Sequence, residues 1–382
     1  MKNQYISHSK TARNDASLKV TFLSNLWNFN PYQELLIKSF ESENIIVNSV
    51  IAKLFFLPTI LQQKPNIVHI QFLQYFLASR NTIYGWLKFA LFITQIVCLR
   101  CLGTKTVWTV HEWEDKVSKK GSHNISPLKC RIIGKVLAGI VTHCDSSNAQ
   151  IVQELQLDRT NKTKVFTIPH ANYIGAYTNN ISREDARRQL GIALEESVLL
   201  YFGSIHRNKG VIEAIAAFQK IDKPSIKFIV AGKPSVPIRA SILELAADCP
   251  NLMFIDPPEH IPDDEVQLYM NASDVVVLPY KVFATSGVAL LAMSFKKACI
   301  APNLGFFKDI FDNKGAFLYN PMAQDGLLLA MEQAIAQSQQ LAEMGAYNFT
   351  VAEQWSWDYV ASQTLKVYFS CLQKTYSTVD GE

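Results

Sequence analysis

The chain has 382 residues, of which 48% are hydrophobic and 18% are charged. This length exceeds the size at which one core usually stops growing, so two domains are predicted, and the composition excludes a disordered chain. The net charge of +4 suits an anionic small ligand or an acidic membrane surface, but nucleic acid is not a predicted partner because no dense basic stripe is present.

The seven cysteines are scattered and form no tight, even framework, which favours a reducing compartment. Residues 1–16 are polar and lack an apolar h-region, so no secretory signal is predicted and a cytoplasmic location is expected. Cys98 and Cys101 have the C-x-x-C spacing, yet they lie in an apolar helical stretch without a second such pair. Neither a metal site nor a cofactor is predicted.

Short β-branched runs alternate with longer helical patterns in the first half of the chain. Strands are predicted at Leu18–Ser24, Asn44–Val50, Asn66–Gln71, Thr106–His111, Gly139–Cys144 and Lys164–Ile168. Helices are predicted at Tyr32–Ser42, Tyr84–Leu102, Leu128–Leu137 and Ser147–Leu155. This alternation is typical of a parallel, doubly wound α/β sheet.

One stretch, from Ile83 to Leu102, resembles a membrane span. Lys88, Gln95 and Arg100 interrupt it, so it contains no clean run of about 18 apolar residues. A buried or interfacial helix is predicted, and its length and aromatic residues leave peripheral membrane contact open as an alternative.

Residues 170–181 are rich in Asn, Tyr and Gly and lack apolar periodicity, which predicts a linker. The alternation then restarts. Further strands are predicted at Val198–Phe202, Lys227–Ala231, Leu252–Ile255, Asp274–Pro279 and Cys299–Ala301, with helices at Val211–Lys220, Ile238–Asp248, Asp263–Asn271, Val288–Phe295 and Asp325–Glu343.

The predicted organisation is a domain at residues 15–175, a second at 185–355, and a carboxy-terminal helix at 356–375 that packs back on the first domain. Two α/β domains joined by one linker create a cleft. Ligands of such sheets bind outside the carboxyl ends of the strands.

A strand, loop and helix around Gly203 are typical of a phosphate site. The loop is cationic, and the amphipathic helix that follows begins near Val211. Amides at a helix start carry partial positive charge, and Arg207 and Lys209 can add full charges against a diphosphate. The spacing matches neither a P-loop nor a dinucleotide motif, which disfavours ATP and NAD. An ordinary βα turn with solvated basic residues is the alternative.

A second helix start lies at residues 285–288. Ser286 is a typical N-cap and Gly287 permits close backbone approach, so a phosphate can bind the amides and the hydroxyl there. A plain capped helix explains the same residues. Two such helix starts in one domain favour the phosphate interpretation.

His111 ends a predicted strand and is a candidate catalytic residue, because it lies on the rim where ligands bind and can exchange a proton near neutral pH. The acidic residue that follows, Glu112, could orient it or raise its pKa. A histidine bonded to the backbone is the alternative.

Two polar loops are predicted to recognise a sugar or an acceptor. Asn30 and Tyr32 lie where the first strand meets the first helix, and His170 and Asn172 lie in the predicted linker, facing the cleft. A capped βα loop and a polar hinge, respectively, are the alternatives.

The order of these motifs resembles that of a GT-B glycosyltransferase, close to family 4, from about Lys19 to Tyr368. The strongest likeness is the run from Phe202 to Phe218, which is similar to the family pattern F-G-x(5)-K-G-x(7)-F. The match continues at Val230–Lys233, Tyr269, Ala272–Tyr280, Ile300–Pro302 and Gly305. Residues 30–33, 108–111 and 286–287 resemble a bacterial subgroup that builds exopolysaccharide repeat units.

The resemblance implies two Rossmann-like domains facing across a cleft and a metal-independent hexosyltransferase of polysaccharide biosynthesis. The implied donor is a UDP- or GDP-sugar and the implied acceptor is a glycan or lipid-linked glycan, at the inner face of the membrane. The implied roles are donor diphosphate binding for Lys209, Arg207, Gly203, Ser286 and Gly287, sugar contact for His111, and the nucleobase and ribose side for Asp256, Glu259 and His260.

The chain departs from the family pattern in two ways. Ser204 stands where the family commonly has an arginine, and a pair of family glutamates would fall at Phe283 and Leu291. This departure motivates an alternative, a catalytically silent GT-B protein that binds nucleotide-sugar or glycan and supports a partner enzyme. An epimerase on the same fold is a third possibility.

Overall fold

The structure is a computed structural model that describes residues 17–24, 31–40, 45–77, 79, 81–111, 113, 126–158, 162–281 and 284–373. The chain divides into two compact units, Met1–Pro169 with Trp357–Glu382, and His170–Ser356. Each unit contains one six-stranded sheet in which the paired strands are parallel. The predicted pair of doubly wound α/β sheets is therefore confirmed.

The first unit is built on strands that pair in the order β2-β1-β3-β4-β5-β6. Its strands are β1 Leu18–Ser24, β2 Ile45–Ile51, β3 Ile67–Ile70, β4 Lys105–Thr109, β5 Gly139–Thr142 and β6 Lys164–Thr167. Its helices are α1 Tyr32–Ser39, α2 Leu57–Gln63, α3 Gln74–Leu77, α4 Thr82–Cys101, α5 Pro127–Val136, α6 Asp145–Glu154 and the carboxy-terminal α15 Trp357–Leu372. Helix α15 packs against α1, β4 and β5.

The second unit is built on strands that pair in the order β12-β11-β10-β7-β8-β9. Its strands are β7 Ser197–Phe202, β8 Ile226–Ala231, β9 Leu252–Ile255, β10 Val275–Val277, β11 Ala298–Pro302 and β12 Ala316–Tyr319. Its helices are α7 Arg183–Leu190, α8 Val211–Phe218, α9 Val236–Ala247, α10 Val266–Ala272, α11 Gly287–Ser294, α12 Gly305–Ile310, α13 Gly326–Ala336 and α14 Leu341–Glu353.

The central strands of the second sheet, β7 and β10, are nearly continuously apolar because helices cover both faces. In β7 only Ser197 is not buried, and all three residues of β10 are buried. The order of the second sheet reverses between β7 and β10, which pair directly at Val275 and Leu199. Loops after two such strands diverge to opposite faces and leave a crevice between them, where ligands of open α/β sheets bind.

The predicted helix at Asp325–Glu343 is wrong. Helix α13 ends at Ala336, a short 3-10 turn spans Ser338–Gln340, and α14 continues from Leu341 to Glu353. The polar run 337–340 supplies no apolar side chain to hold one continuous helix on the sheet, so the chain changes direction there.

Other differences from the sequence-based expectations concern short elements and boundaries. The expectation did not include α2, α3, α7, α12 or β12, each of eight residues or fewer and too short for a clear periodic signal. Strand β4 ends at Thr109, two residues before His111. The segment 170–181 forms no helix or strand, and the seven cysteines are free thiols.

Candidate functional site

The loop after β7 begins with a glycine that no other residue could replace without strain. Gly203 has φ +101°, and a Cβ there would lie 3.1 Å from Val288 Cγ2 of α11. Its carbonyl oxygen would lie 1.7 Å from a Cβ built on Gly232, at the end of the neighbouring β8. The hydroxyl of buried Tyr201 donates to the Ser204 carbonyl at 3.0 Å. The first turn of the loop therefore packs against α11 on one side and the end of β8 on the other.

The same loop ends against the loop after β10. Gly210 has φ +68°, and a Cβ there would lie 1.9 Å from the Pro279 carbonyl oxygen. The Lys281 amide donates to the Asn208 carbonyl at 2.9 Å. Because β7 and β10 are paired neighbours, the two loops meet at the carboxyl edge of the sheet.

Lys209 is held at this junction. Its ammonium lies 3.8 Å from the centre of the Tyr280 ring, a cation–π contact with a buried aromatic residue. Beside it, Lys281 forms a salt bridge with Glu213 of α8. Arg207 is exposed on the 3-10 turn Arg207–Lys209 that precedes α8.

Ser286 is the N-cap of α11, as its residue type predicts. Its Oγ accepts from the Ala289 amide at 3.2 Å, and the side chain is buried. Gly287 is the first residue of the helix. The first turn of the helix therefore lies beside the loop that carries Gly203, since a Cβ built on that glycine would lie 3.1 Å from Val288 Cγ2.

The segment predicted to lie beside the nucleobase follows β9, two strands away from β7. Asp256 forms a salt bridge with Arg239 of α9, and its Oδ1 is buried without a hydrogen-bond partner among the described residues. Glu259 and His260 are exposed. The Lys233 ammonium donates to the carbonyls of Pro257 at 3.2 Å and Pro258 at 2.6 Å, which ties this segment to the end of β8.

In the first unit, His111 belongs to a cluster of polar side chains at the carboxyl ends of β3, β4 and β5. Its Nε2 lies 2.5 Å from Gln71 Oε1, and its Nδ1 lies 3.4 Å from His143 Nε2. His143 Nδ1 lies 3.0 Å from the Ile168 carbonyl oxygen. The Tyr32 ring packs edge-on against His111, with centroids 4.6 Å apart.

Donor and acceptor roles in this cluster follow from the one fixed acceptor, the Ile168 carbonyl. His143 Nδ1 must carry a proton to donate to it, so neutral His143 accepts at Nε2 and His111 donates from Nδ1. A cationic His111 donates to Gln71 Oε1, whereas a neutral one accepts from the Gln71 amide nitrogen after that amide turns over. Within the part of the chain that the structure describes, that nitrogen has no partner in its present orientation.

Tyr32, predicted to face the acceptor, is buried among rings. It contacts Trp357 as well as His111 and His143, with centroids 5.2 Å apart for Trp357. Burial raises the pKa of the Tyr32 hydroxyl. Its ring supports the imidazole of His111.

His170 and Asn172, predicted to face the cleft on the acceptor side, are buried. They are 2% and 5% exposed. His170 Nδ1 lies 2.7 Å from the Ala171 carbonyl oxygen, and burial lowers the pKa of His170 to about 4. The Asn172 amide donates to the Ala352 carbonyl at 2.7 Å and its oxygen accepts from the Ile174 amide at 3.1 Å. A segment without regular structure needs such side chains to satisfy buried main-chain groups.

Three of the residues singled out from the sequence, Asn30, Glu112 and Phe283, lie outside the described residues. Leu291 is buried in α11. In the part of the chain that the structure describes, no three His, Cys, Asp or Glu side chains form a group that could hold a metal ion.

Sequence reasoning missed Gln71, His143 and Tyr280. Gln71 and His143 each follow a strand end, as His111 does, so the rule that selected His111 applies equally to them. Tyr280 stood in the family-like run but had no role assigned, because a cation–π contact depends on how two loops pack.

Comparisons with known proteins find similarity to glycosyltransferases. The family profile described as Glycosyl transferases group 1 matches residues 182–350. The lipopolysaccharide 1,2-N-acetylglucosaminetransferase of Salmonella typhimurium is 26% identical over 233 residues, which cover 56% of this chain and 59% of that protein. The chain spans about half the length of the curated relatives it matches.

Two solved structures share the fold over nearly the whole chain. Sucrose-phosphate synthase from Thermosynechococcus elongatus has a TM-score of 0.71 at 14% identity, covering 93% of this chain and 99% of that one. HepE from Anabaena, in complex with UDP and glucose, has a TM-score of 0.68 at 16% identity, covering 92% and 100%.

Proposed function

We propose that this chain, whose residues 182–350 match the profile of group 1 glycosyltransferases and whose fold is GT-B, transfers a hexose from a nucleoside-diphosphate sugar to a glycan or lipid-linked glycan. The observation that carries the proposal is the contact between the loops after β7 and β10, with Lys209 held at their junction.

The donor diphosphate binds at this junction. The Lys209 ammonium supplies a full positive charge, and Arg207 lies on the same turn. The Ser286 oxygen is used as an acceptor by its own helix, so its hydroxyl hydrogen can donate to a phosphate oxygen together with the first amides of α11. In the transition state the departing diphosphate gains negative charge, and donors fixed in place stabilise it without a metal ion.

The nucleoside extends from the diphosphate toward the segment after β9, where Asp256, Glu259 and His260 lie. HepE, a protein of the same fold, is described in complex with UDP and glucose, which supports a uridine donor for this chain. His111, which follows β4, contacts the transferred sugar. Gln71, His143 and Tyr32 are positioning residues for it.

Lys209→Ala tests the donor site. Loss of a preorganised charge at a developing anion typically costs a factor of 10² to 10³, so kcat/KM for the donor should fall by about 100-fold. Product formation by chromatography and nucleotide affinity by calorimetry measure the effect. Lys220→Ala is the matched control, because Lys220 pairs with Asp325 on an exposed surface. Unchanged donor affinity and turnover in Lys209→Ala would remove the assigned phosphate role.

A second candidate function is a catalytically silent GT-B protein that binds nucleotide-sugar or glycan and supports a partner enzyme. The observation that favours it is Leu291, an apolar buried side chain where the family has a carboxylate. Calorimetry against UDP- and GDP-sugars, paired with a product assay, separates the two functions. A protein that binds the nucleotide-sugar but neither transfers the sugar to any acceptor nor hydrolyses it to free sugar would be the silent protein.

A further inference from the structure

Charge is distributed unevenly along the first unit. Residues 44–111 contain six Lys or Arg and no Asp or Glu, although the whole chain has 37 basic and 33 acidic residues. The same stretch contains ten of the eighteen large hydrophobic residues that the structure describes as exposed. Basic and apolar character together on one part of a surface is the combination that binds anionic lipid bilayers.

The centre of this surface is helix α4. One row of exposed residues recurs at steps of four and three along its whole length, at Ile83, Leu87, Ala90, Thr94, Val97 and Cys101, and Thr82, Tyr84 and Arg100 are exposed beside this row. Ile83 is 74% exposed and Leu87 is 65% exposed. The hydroxyl in this row, that of Thr94, donates to the Ala90 carbonyl at 2.9 Å. The exposed face is therefore apolar for about 30 Å.

The neighbouring elements extend the apolar face. Helices α2 and α5 pack against α4, and β2 packs against α2. Their exposed apolar side chains are Leu61 on α2, Leu128 on α5, Ile46 and Ile51 on β2, and Phe55 just before α2. Exposed Lys53 and Lys64 flank α2, and Arg100 lies in the last turn of α4. Cations thus border the apolar residues.

Among the described residues, α4 is also the one helix long and apolar enough to cross a membrane. Its other face is packed in the unit, with Phe89, Phe92 and Ile96 fully covered. The buried Gln95 carboxamide oxygen accepts from the amides of Phe56 at 2.8 Å and Leu57 at 3.0 Å. A helix bonded in this way to its own unit lies on a membrane rather than spanning it.

The start of α4 is fixed by Lys129 of α5. Its ammonium donates to the carbonyls of Leu77 at 3.0 Å and Gly85 at 3.1 Å and lies 5.1 Å from the centre of the Trp86 ring. Because α4 connects the carboxyl end of β3 to the amino end of β4, its first turn lies at the same sheet edge as His111. The most exposed apolar side chains of α4, Ile83 and Leu87, lie at that end of the helix.

We propose that the exposed face of α4, together with α2 and the first turn of α5, is a docking surface for an anionic phospholipid bilayer. The face inserts its apolar side chains among the headgroups, and the bordering Lys and Arg contact the lipid phosphates. Resting on the proposed function, this surface gives the acceptor its class, a lipid-linked glycan presented at the bilayer beside the sheet edge that carries His111.

A second copy of this chain is the competing occupant, because the steps along α4 also suit a helix pair. The charge pattern decides between them. Two such surfaces face to face would bring like charges together without an acidic partner from residues 44–111, whereas an anionic bilayer complements them.

Sedimentation of the full chain with vesicles tests the surface. Wild type should bind phosphatidylcholine vesicles containing about three in ten phosphatidylglycerol lipids about tenfold more tightly than pure phosphatidylcholine, and added salt should weaken this binding. The double variant Ile83→Glu/Leu87→Glu should lose about tenfold or more. The matched control Val236→Glu/Leu243→Glu changes two exposed apolar residues of α9 in the other unit and should bind as wild type does.

Circular dichroism and nucleotide affinity in the absence of lipid show that the double variant is folded. The inference is overturned if wild type binds neither the phosphatidylglycerol-containing nor the pure phosphatidylcholine vesicles, or if the double variant binds as wild type does. A concentration-dependent dimer in ultracentrifugation that Leu87→Glu abolishes, without any vesicle binding, also overturns it. Vesicle binding that persists in a protein unable to bind nucleotide-sugar would contradict the proposed function and leave the docking surface intact.

Discussion

His69 shows what one buried side chain contributes to the first unit. It is 1% exposed, with Nδ1 at 2.5 Å from the Tyr368 hydroxyl and Nε2 at 2.7 Å from the Thr109 hydroxyl. Burial lowers the pKa of His69 to about 3. Both ring nitrogens face hydroxyls, which can donate or accept, so the neutral ring ties α15 to the sheet without a charge.

This burial predicts an acid sensitivity. A folded-state pKa below the unfolded value of about 6.5 means that the unfolded chain binds the proton first, so stability is complete above pH 6.5 and falls as the pH drops toward 3. At pH 5 the loss from His69 is about 2 kcal/mol. Urea unfolding of wild type and His69→Gln at pH 7 and pH 5 measures it. Equal pH dependence in the two proteins would contradict the prediction.

Residues of a family-like motif are not all functional. Asp274 lies in the run that resembles the family, yet it accepts from Arg187 at 2.8 Å and from the Val198 amide at 2.8 Å. Arg187 is fully buried and also donates to main-chain carbonyls, including that of Ala272. This aspartate links α7 to β7. At this position the family-like motif therefore has a structural role.

At the scale of elements, the proposed donor site depends on the contact between the loops after β7 and β10. Gly210 has the left-handed φ of a residue that ends one turn and begins a helix, and it leaves room for the Pro279 carbonyl. A side chain there would separate the loops and move Lys209 away from Tyr280.

Gly210→Ala should therefore raise the dissociation constant for the donor nucleotide by about tenfold, since an alanine at positive φ costs about 1 to 2 kcal/mol and its Cβ also collides with Pro279. Gly191→Ala is the matched control. Gly191 has the same φ of +68°, and no atom of the described residues lies within 4 Å of where its Cβ would stand, so it bears the backbone cost alone. Calorimetry compares the two, and equal nucleotide affinities would show that the loop contact does not support binding.

For the whole molecule, each of the two units contains one six-stranded parallel sheet, but the two units present different chemistry at the carboxyl edge. The second unit presents cations and helix starts, and the first presents the imidazole cluster of His111. All contacts described for each cluster come from within its own unit.

This division predicts that binding and transfer are separable. His111→Ala should lower product formation by about 100-fold, a typical contribution of a positioned acid or base, and leave the nucleotide dissociation constant unchanged. Lys209→Ala should weaken both. A product assay and calorimetry on the same preparations compare them, with Ser204→Ala as a control in the donor loop. A nucleotide affinity that falls equally in both variants would contradict the division.

The sequence by itself determined the fold class, most of the long elements and the likeness to a glycosyltransferase family. Alternating β-branched and helical runs are local signals, and a parallel sheet covered on both faces needs nearly continuous apolar strands, so β7 and β10 could be recognised from composition. Two features of the proposed phosphate site were recognisable for a similar reason, because Gly203 is demanded by local backbone geometry and Ser286 by capping. The family likeness is confirmed, while the exopolysaccharide subgroup stays a prediction.

Only the tertiary structure decided which polar residues serve the site and which serve the fold. Asn172 and His170 look like surface residues in a linker, but the main chain around them uses their polar atoms. Gln71 and His143 become partners of His111 only because β3, β4 and β5 are adjacent, which pairs residues far apart in sequence. Which strands become neighbours depends on contacts between residues far apart in the chain. Local sequence patterns do not encode such contacts, so the sequence could not predict these partners of His111.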